Sequence, residues 1–242
     1  MISTMSNINF ICLKWGKKYG PEYVNRLYAH LQNAYGDEFN FYCFTDNSKN
    51  FNSKIIIKDI EELRPYPYEC FTLEKIFLFD HKELSGKNVL LDLDVLLFND
   101  NLKKYLDEYD FYEPRFIKNY WNGIEYGDML AKHGRNWVNS SFVTWKDDQL
   151  VHVKKFYEEH KELIEYKFGD LDFWLFQLIR DKLYYHPEKV IYSYRDGATE
   201  QDYEQYKLRE DHSVVLFNTS HGYGTELHET VDWSQRLWTQ FD

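Results

Sequence analysis

Cysteine is scarce in this chain. The 242 residues contain three cysteines, Cys12, Cys43 and Cys70. An odd number in a long chain argues against a disulfide framework, and each cysteine lies beside apolar residues. We therefore expect three buried thiols that pack as small hydrophobic side chains in a reducing, cytoplasmic compartment.

Long hydrophobic runs are also missing. No segment approaches the roughly 20 apolar residues that span a bilayer, and the N-terminus lacks the basic-then-apolar pattern of a signal peptide. Internal repeats, low-complexity tracts and linkers are not seen either. We expect a protein without a transmembrane segment, folded as a single domain over residues 1–242. The sequence says nothing about oligomeric state.

Positive charge is in the minority. Lysine and arginine number 29 against 40 acidic residues, which gives a net charge of −11. Proteins that bind nucleic acids non-specifically need cationic side chains to neutralise phosphates, so nucleic acid is not the expected partner. A local basic patch around a nucleoside diphosphate remains compatible with this charge. Aromatic residues, at 19%, predict a bulky aromatic core, or alternatively platforms on which sugars or bases stack.

The beginning of the chain has the pattern of a nucleotide-binding α/β unit. An apolar strand is predicted from Ile8 to Leu13, and a loop rich in glycine and lysine follows it. Pro21 then begins a helix that runs to about Tyr35, with apolar residues at helical spacing. A diphosphate would suit such a helix start. The loop contains neither a G-x-G-x-x-G nor a P-loop pattern, so the signal is weak by itself.

Further strands and helices alternate along the chain, which predicts an α/β fold with a mixed, mostly parallel sheet flanked by helices. The predicted strands are 39–44, 54–58, 111–113, 138–145, 190–194 and 213–217. The predicted helices are 72–79 with Thr72 as its N-cap, 100–108 capped by Asp100, one capped by Asp147 or Asp148, one opening at Asp170, a surface helix over 202–210, and a C-terminal one carrying Trp233 and Trp238.

The most informative stretch is Lys87 to Asp100, an apolar run of strand length that two aspartates interrupt. On an extended chain the i, i+2 spacing sends the side chains of Asp92 and Asp94 to the same side. Adjacent buried carboxylates repel each other and lose hydration, and a hard cation such as Mn²⁺ or Mg²⁺ relieves both costs. The alternative is that one aspartate caps a turn and the other is solvated.

Other candidate residues each have an ordinary structural explanation. Lys75 either contacts a phosphate across the cleft or is an exposed lysine. Asp170 and Asp172 stand at a helix start, where acids commonly serve as caps. His221 follows the end of a buried strand, where open α/β sheets place their sites, although a single histidine is more often structural.

At these residues the sequence resembles the GT-A glycosyltransferases, in particular the glycogenin-like and galactosyltransferase-like enzymes of family 8. The resemblance covers most of the chain in matching order. It comprises Ile11 to Gly16 with Tyr19, the segment Cys43 to Asp46, Lys75, the motif Leu91 to Asp94, Asn139 to Ser141, Gly169 to Asp172, and His221 with Gly222.

The resemblance implies a single GT-A, Rossmann-like domain with a nucleotide-binding half over about 1–100 and an acceptor half over about 101–242. It implies a role for each matched residue. The sugar donor would contact Leu13, Lys14, Trp15, Tyr19, Asp46, Lys75, Asp92, Asn139 and Ser140. The metal would be held by Asp92, Asp94 and His221, and Asp170 and Asp172 would act at the reacting sugar.

The implied activity is metal-dependent transfer of a hexose or pentose from a nucleotide-sugar to a glycan, protein or other hydroxyl acceptor, with retention of configuration. The acceptor is expected to enter near residues 115–135. The chain departs from the family at Leu171, where the family has Gln, and after Gly222, where the family has Lys-Pro. Two alternatives stay open: a non-catalytic nucleotide- or glycan-binding relative, and a metal-dependent nuclease or nucleotidyltransferase.

Overall fold

A computed structural model describes residues 8–63, 72–120, 138–168, 170–199, 201–202, 204–217 and 232–241. Within these residues seven strands form one mixed sheet, and three short strands form a second sheet. The strands are β1 Ile8–Lys14, β2 Asn40–Thr45, β3 Ile56–Asp59, β4 Lys87–Leu91, β5 Val95–Leu97, β6 Arg115–Lys118, β7 Val138–Lys146, β8 Tyr184–Tyr185, β9 Ile191–Ser193 and β10 Val214–Leu216.

The order in which strands are added to the large sheet reverses at β1. Its order is β3-β2-β1-β4-β7-β6-β8. The chain builds outward from β1 through β2 to β3, then returns to place β4 on the other side of β1. Strands β1, β2, β3 and β4 are parallel, whereas β7 runs antiparallel to β4 and β6. Open α/β sheets place ligands at such a switch point, at the carboxyl ends of the strands.

Helices cover both faces of the sheet. They are α1 Pro21–Tyr35, α2 Asn101–Tyr109, α3 Val151–Glu159, α4 Lys161–Lys167, α5 Leu171–Trp174 and α6 Asp232–Trp238, with 3₁₀ turns at Ile60–Glu62, Leu73–Leu78 and Arg180–Lys182 and a π-helical turn at Leu175–Ile179. Helix α1 follows the expected pattern: Pro21 begins it, Val24, Leu27 and Leu31 are fully buried, and Gly36 ends it at a positive φ of 102°.

Two hydrophobic cores lie on opposite faces of the sheet. One packs α1, α2 and the small sheet against β1 and β2, and the other packs the Leu73–Leu78 turn, α3 and α5 against β4 and β7. Fully buried aromatic side chains fill much of both cores, among them Trp145, Trp174, Trp238, Tyr157, Phe10 and Phe79. Core packing therefore accounts for much of the high aromatic content.

The cysteines that the structure describes, Cys12 and Cys43, are fully buried free thiols on neighbouring strands. Cys70 lies outside the described residues. Among the described residues no helix is both long and apolar enough to cross a membrane.

Positive-φ residues explain two wrong element predictions. Residues 111–113 are not a strand, because Asp110 and Phe111 adopt left-handed φ angles of 51° and 55°; the strand begins instead at Arg115. The 202–210 segment, described apart from residue 203, is not a helix. Tyr206 has a φ of 61° there, and its N–H bonds the carbonyl of Tyr194.

The helix N-caps predicted at Asp100 and at Asp147 or Asp148 also differ from the structure. Neither Asp147 nor Asp148 caps the following helix, which begins only at Val151. Asp147 instead accepts a hydrogen bond from the Gly86 N–H at 2.7 Å, tying the end of β7 to the start of β4. Asp100 stands at the N-cap of α2, but its side chain makes no cap hydrogen bond. Sequence position alone predicts these acids as caps, because it contains no information about their long-range partners.

Three asparagines form a hydrogen-bonded ladder across neighbouring strands of the large sheet. The ladder lies at the amino ends of the parallel strands, opposite the switch-point edge. Asn88, Asn9 and Asn40 are register partners on β4, β1 and β2. The Asn9 amide donates to Asn88 Oδ1 at 2.9 Å, and the Asn40 amide donates to Asn9 Oδ1 at 3.0 Å. Asn88, fully buried, also donates to the carbonyls of Leu84 and Gly86. The ladder therefore helps specify which strands pair and in what register.

We predict that Asn88→Ala lowers the free energy of unfolding by about 2–3 kcal/mol, because it leaves several buried polar groups unpaired. Asn40→Ala, at the half-buried end of the ladder, should cost about 1 kcal/mol. Urea unfolding of both variants measures the difference. Equal losses would show that the ladder is not a buried network.

Candidate active site

The first side of the candidate site is the segment after β1. Leu13 and Lys14 end that strand and are buried. Gly16 turns the chain with a φ of 65°, and its N–H bonds Asp46 Oδ2, beyond β2, at 2.9 Å. Lys14 Nζ lies 3.8 Å from Asp46 Oδ1. The predicted loop residues and Asp46 are thus brought together at the carboxyl edge of the sheet.

The two aspartates lie in a turn, not within one strand. Strand β4 ends at Leu91 and β5, in the other sheet, begins at Val95. The prediction of one continuous strand was therefore wrong, and so was its argument that i, i+2 spacing on an extended chain orients both carboxylates. Main-chain bonds hold the turn instead: the Asp92 N–H donates to the Ser141 carbonyl at 2.9 Å, and the Phe217 N–H donates to the Asp94 carbonyl at 3.4 Å.

Lys75 reaches this turn from the Leu73–Leu78 3₁₀ turn. It is buried, so the alternative of an exposed lysine is wrong. Its Nζ lies 2.7 Å from Asp92 Oδ1, and it donates to Ser140 O at 3.2 Å and Ser140 Oγ at 3.1 Å. Burial opposes the charged ammonium, but Asp92, Asp172 and Asp94 outweigh it and raise the pKa of Lys75. Lys75 is therefore a permanent cation among carboxylates.

Asp172 is a second half-buried acid near Lys75. Burial, together with the charges of Asp170 and Asp92, raises the pKa of Asp172 to about 7, against the opposing effects of Lys75 and a hydrogen bond from the Ser140 hydroxyl. Its Oδ1 is shut off from solvent and has no hydrogen-bond partner among the described residues. A carboxyl group whose pKa is moved near neutrality by burial and by specific neighbouring charges is a common sign of a functional site.

Asp170 has the structural role that its position predicts. Its Oδ1 accepts a hydrogen bond from the Phe173 N–H at 3.0 Å, which makes it the N-cap of α5. The Leu171 N–H donates to Thr72 Oγ1 at 3.0 Å, so Thr72 joins the two helix starts and does not cap its own turn. Leu171 is fully buried in the core.

The remaining predicted residues lie on the same edge of the sheet. Tyr19 donates to Asp94 Oδ2 at 3.1 Å, and Lys18 Nζ donates to Tyr19 at 2.7 Å. Trp15 is partly buried against the core that contains α5. Asn139, on β7, accepts a hydrogen bond from the Ser141 N–H through its side-chain oxygen. Their roles towards a ligand stay predictions.

Carboxylate oxygens suit a hard divalent cation, and three carboxylates around one ammonium leave an excess of negative charge. The described residues alone contain no group of three or more His, Cys, Asp or Glu side chains arranged to hold a metal ion. His221, the third predicted ligand, lies outside the described residues. The residues present thus fit such an ion by chemistry and charge, and metal binding stays a prediction.

Sequence reasoning missed the contacts that join these residues to one another. Thr72 and Leu171 are 99 positions apart, and Lys75 and Ser140 are 65 positions apart. The sequence predicts Thr72 as a local cap, and the family resemblance implies that Ser140 contacts the sugar donor. No spacing rule relates such distant residues, so the pattern of a single sequence contains no signal for them.

Comparison with known proteins identifies the fold. No protein-family model matches the sequence, and no curated protein matches it. Among solved structures, the galactosyltransferase LgtC, in complex with donor and acceptor sugar analogues, has a TM-score of 0.60 at 11% identity, over 96% of this chain and 95% of that one. Mouse xyloside xylosyltransferase 1 has a TM-score of 0.53 at 10% identity, over 88% and 98% of the two chains.

The bifunctional glycosyltransferase WbbM gives a TM-score of 0.62 at 12% identity, over 96% of this chain and 49% of that one. At such low identities the likeness is one of fold. The chain has the GT-A-like fold of glycosyltransferases, as the sequence predicted.

The buried carboxyl of Asp172 predicts a pH dependence of stability. Its pKa is about 7 in the folded protein and about 4 in the unfolded chain. The folded state thus holds the proton more tightly, and the stability that this proton confers is lost as pH rises through 7. Asp172→Asn removes that loss, so we expect the variant to gain about 2 kcal/mol relative to wild type between pH 5 and pH 8.

Urea unfolding at both pH values measures this gain. Asp181→Asn, a change at an exposed position, is the matched control and should show no such pH dependence. A pH-independent difference between Asp172→Asn and wild type would contradict a raised pKa.

Proposed function

We propose that the protein is a glycosyltransferase that moves a sugar from a nucleotide-sugar donor to a hydroxyl-bearing acceptor, with retention and with Mn²⁺ or Mg²⁺ as cofactor. The observation that carries the proposal is the convergence of Asp92, Lys75, Ser140 and Asp172 at the switch-point edge of a GT-A-like sheet. They come from different elements, and core packing alone would not bring charged groups together there.

The nucleotide is proposed to bind along the segment after β1. Trp15 and Tyr19 offer aromatic surfaces near the strand end, and Asp46 and Gly16 hold the loop in place. Lys14 and Lys18 supply positive charge near a diphosphate, although Lys14 is already paired with Asp46. A base near Leu13 and Asp46 would leave the diphosphate facing the turn that contains Asp92 and Asp94, the acidic turn.

A divalent cation would be held by Asp92 and Asp94, with His221 as the predicted third ligand. When bound, it would act as a Lewis acid that stabilises negative charge on the departing diphosphate. The protein's own part begins with electrostatics: Lys75 fixes Asp92, and Tyr19 donates to Asp94, so both carboxylates are oriented before a ligand arrives.

The sugar is proposed to lie near Asn139 and Asp172. Breaking the sugar–phosphate bond leaves positive charge on the anomeric carbon, and the carboxylate of Asp172, when ionised, would stabilise it. Leu171 cannot take this role, because its side chain is apolar and fully buried. The proposed retention therefore depends on Asp172 or Asp170, not on the residue that aligns with the family Gln. The donor sugar and the acceptor are not specified by these residues.

A nucleotide-sugar turnover assay with Mn²⁺ tests the proposal. Release of free sugar or its transfer, measured by NMR over a panel of nucleotide-sugars, supports it. Binding of nucleotide or glycan without any turnover would favour the non-catalytic alternative, and cleavage of nucleic acid would favour the nuclease.

For the acidic turn we predict that Asp92→Asn and Asp94→Asn each abolish Mn²⁺-dependent turnover while the fold survives, because each removes a charged oxygen ligand. Turnover and Mn²⁺ binding, the latter by electron paramagnetic resonance, should fall together. Asp80→Asn, a partly exposed acid paired with Lys154, is the control. Full activity in EDTA, or in either variant, would remove the cation from the mechanism.

For Asp170 a pair of substitutions separates capping from catalysis. Asp170→Ala removes the cap of α5 and should cost about 1 kcal/mol of stability, whereas Asp170→Asn keeps a capping oxygen. If Asp170 acts on the sugar, both variants should lose about 100-fold or more in turnover, roughly 3 kcal/mol. Normal turnover in Asp170→Asn with an unchanged melting temperature would leave Asp170 a cap alone.

A further inference from the structure

Tyr19 joins the segment after β1 to the acidic turn. Its hydroxyl oxygen lies 3.1 Å from Asp94 Oδ2 and 2.7 Å from Lys18 Nζ. A lysine ammonium can only donate hydrogen bonds and a carboxylate can only accept them, so these partners set the direction of both bonds. Lys18 donates to the tyrosine oxygen, and the hydroxyl proton of Tyr19 goes to Asp94.

The ring of Tyr19 is held by the protein as well. It packs against Tyr23 of α1, with the ring centroids 4.7 Å apart, and Tyr23 is itself buried. Tyr19 is partly buried against the core that contains α1, and Lys18 Nζ lies 4.5 Å from its ring centroid. Packing against a helix fixes where the hydroxyl points. The bond to Asp94 therefore follows from the fold and needs no nucleotide to form it.

The hydroxyl of Tyr19 acts on Asp94 as Lys75 acts on Asp92, but without a charge. Each donates to one carboxylate oxygen: Lys75 to Asp92 Oδ1 at 2.7 Å, and Tyr19 to Asp94 Oδ2. The ammonium offsets the charge of Asp92, whereas the neutral hydroxyl orients Asp94 and leaves its charge intact. Lys18, behind the hydroxyl, is exposed, so solvent screens its charge. Asp94 is therefore the aspartate of the acidic turn that attracts a cation more strongly.

We propose that Tyr19 is a positioning residue, whose hydroxyl orients the Asp94 carboxylate to ligate a divalent cation. Carboxylates that ligate metals are themselves hydrogen-bonded, and loss of such a partner typically weakens metal binding about 10- to 100-fold. The inference rests on the proposed function, which assigns a cation to the acidic turn. It changes the predicted role of the Tyr19 hydroxyl from a donor contact to a bond within the protein.

The test uses Tyr19→Phe, which removes the hydroxyl and keeps the ring that packs against Tyr23. Titration with Mn²⁺ alone, followed by electron paramagnetic resonance, should give a dissociation constant raised about 10-fold over wild type. Affinity for a nucleoside diphosphate in EDTA should not change, because the hydroxyl does not contact the nucleotide. The control is Tyr157→Phe, since the Tyr157 hydroxyl also donates to a carboxylate, that of Glu165 at 2.7 Å, but joins α3 to α4. It should keep the wild-type affinity for Mn²⁺.

Turnover separates this role from a direct contact to the sugar donor. With the nucleotide-sugar that wild type turns over fastest, Tyr19→Phe should need about 10-fold more Mn²⁺ for its half-maximal rate. It should recover most of its turnover at saturating Mn²⁺. A loss of turnover that added Mn²⁺ does not restore, or weaker nucleotide binding in EDTA, would show that the hydroxyl contacts the donor and would overturn the inference.

A second measurement needs no ligand. The melting temperatures of Tyr19→Phe, Asp94→Ala and the double variant form a double-mutant cycle, and a direct bond predicts clearly non-additive changes. Additive changes would overturn the bond. An unchanged Mn²⁺ affinity in Tyr19→Phe, with turnover by wild type, would overturn the inference and leave the proposed function standing. A weakened Mn²⁺ affinity in Tyr19→Phe, with no turnover by wild type, would sink the proposed function and leave the inference standing.

Discussion

The candidate site depends on one buried positive charge. Lys75 lies among Asp92, Asp94 and Asp172, all of which act on its ammonium group. Two carboxylates about 4 Å apart repel each other by roughly 4 kcal/mol at an effective dielectric constant of 20. Without Lys75, these acids would have to separate, protonate or capture a cation. With it, Asp92, Asp94 and a partly ionised Asp172 still outweigh one positive charge, which is why we expect a second cation to bind at this edge.

The sheet explains why these groups meet. Strands β1 and β4 are parallel neighbours, so the loop with Lys14 and the turn with Asp92 leave the sheet at the same edge. Strand β7 is antiparallel to β4, so its beginning, at Asn139 and Ser140, lies at that edge too. The asparagine ladder at the other end holds this register. Placement of the site is thus a consequence of strand pairing.

Much of this arrangement is predictable from local pattern. The burial of β1 and α1 and the capping of α5 by Asp170 follow from hydrophobic periodicity and helix-start chemistry. Periodicity failed where the backbone takes left-handed angles, as at Phe111 and Tyr206, because these conformations depend on tertiary contacts. It also could not show that the apolar run around Asp92 divides between two sheets.

The contacts that give the site its chemistry are of the less predictable kind. Whether Lys75 is exposed or buried, and whether Ser140 faces Asp172, depends on segments far apart in sequence. A helix-start acid looks the same in sequence whether it caps, as Asp170 does, or has a raised pKa, as Asp172 does. Only the packing of α5 against β7 distinguishes the two.

We propose that a nucleotide-sugar binds at the carboxyl ends of β1 and β4. A crystal structure with a nucleoside diphosphate and Mn²⁺ tests it most directly. We predict anomalous scattering from Mn²⁺ beside Asp92 and Asp94, the diphosphate on that ion, and the base against residues 13–19 near Asp46. A nucleotide bound elsewhere, or no metal peak at the acidic turn in a crystal whose nucleotide is fully occupied, would contradict the claim.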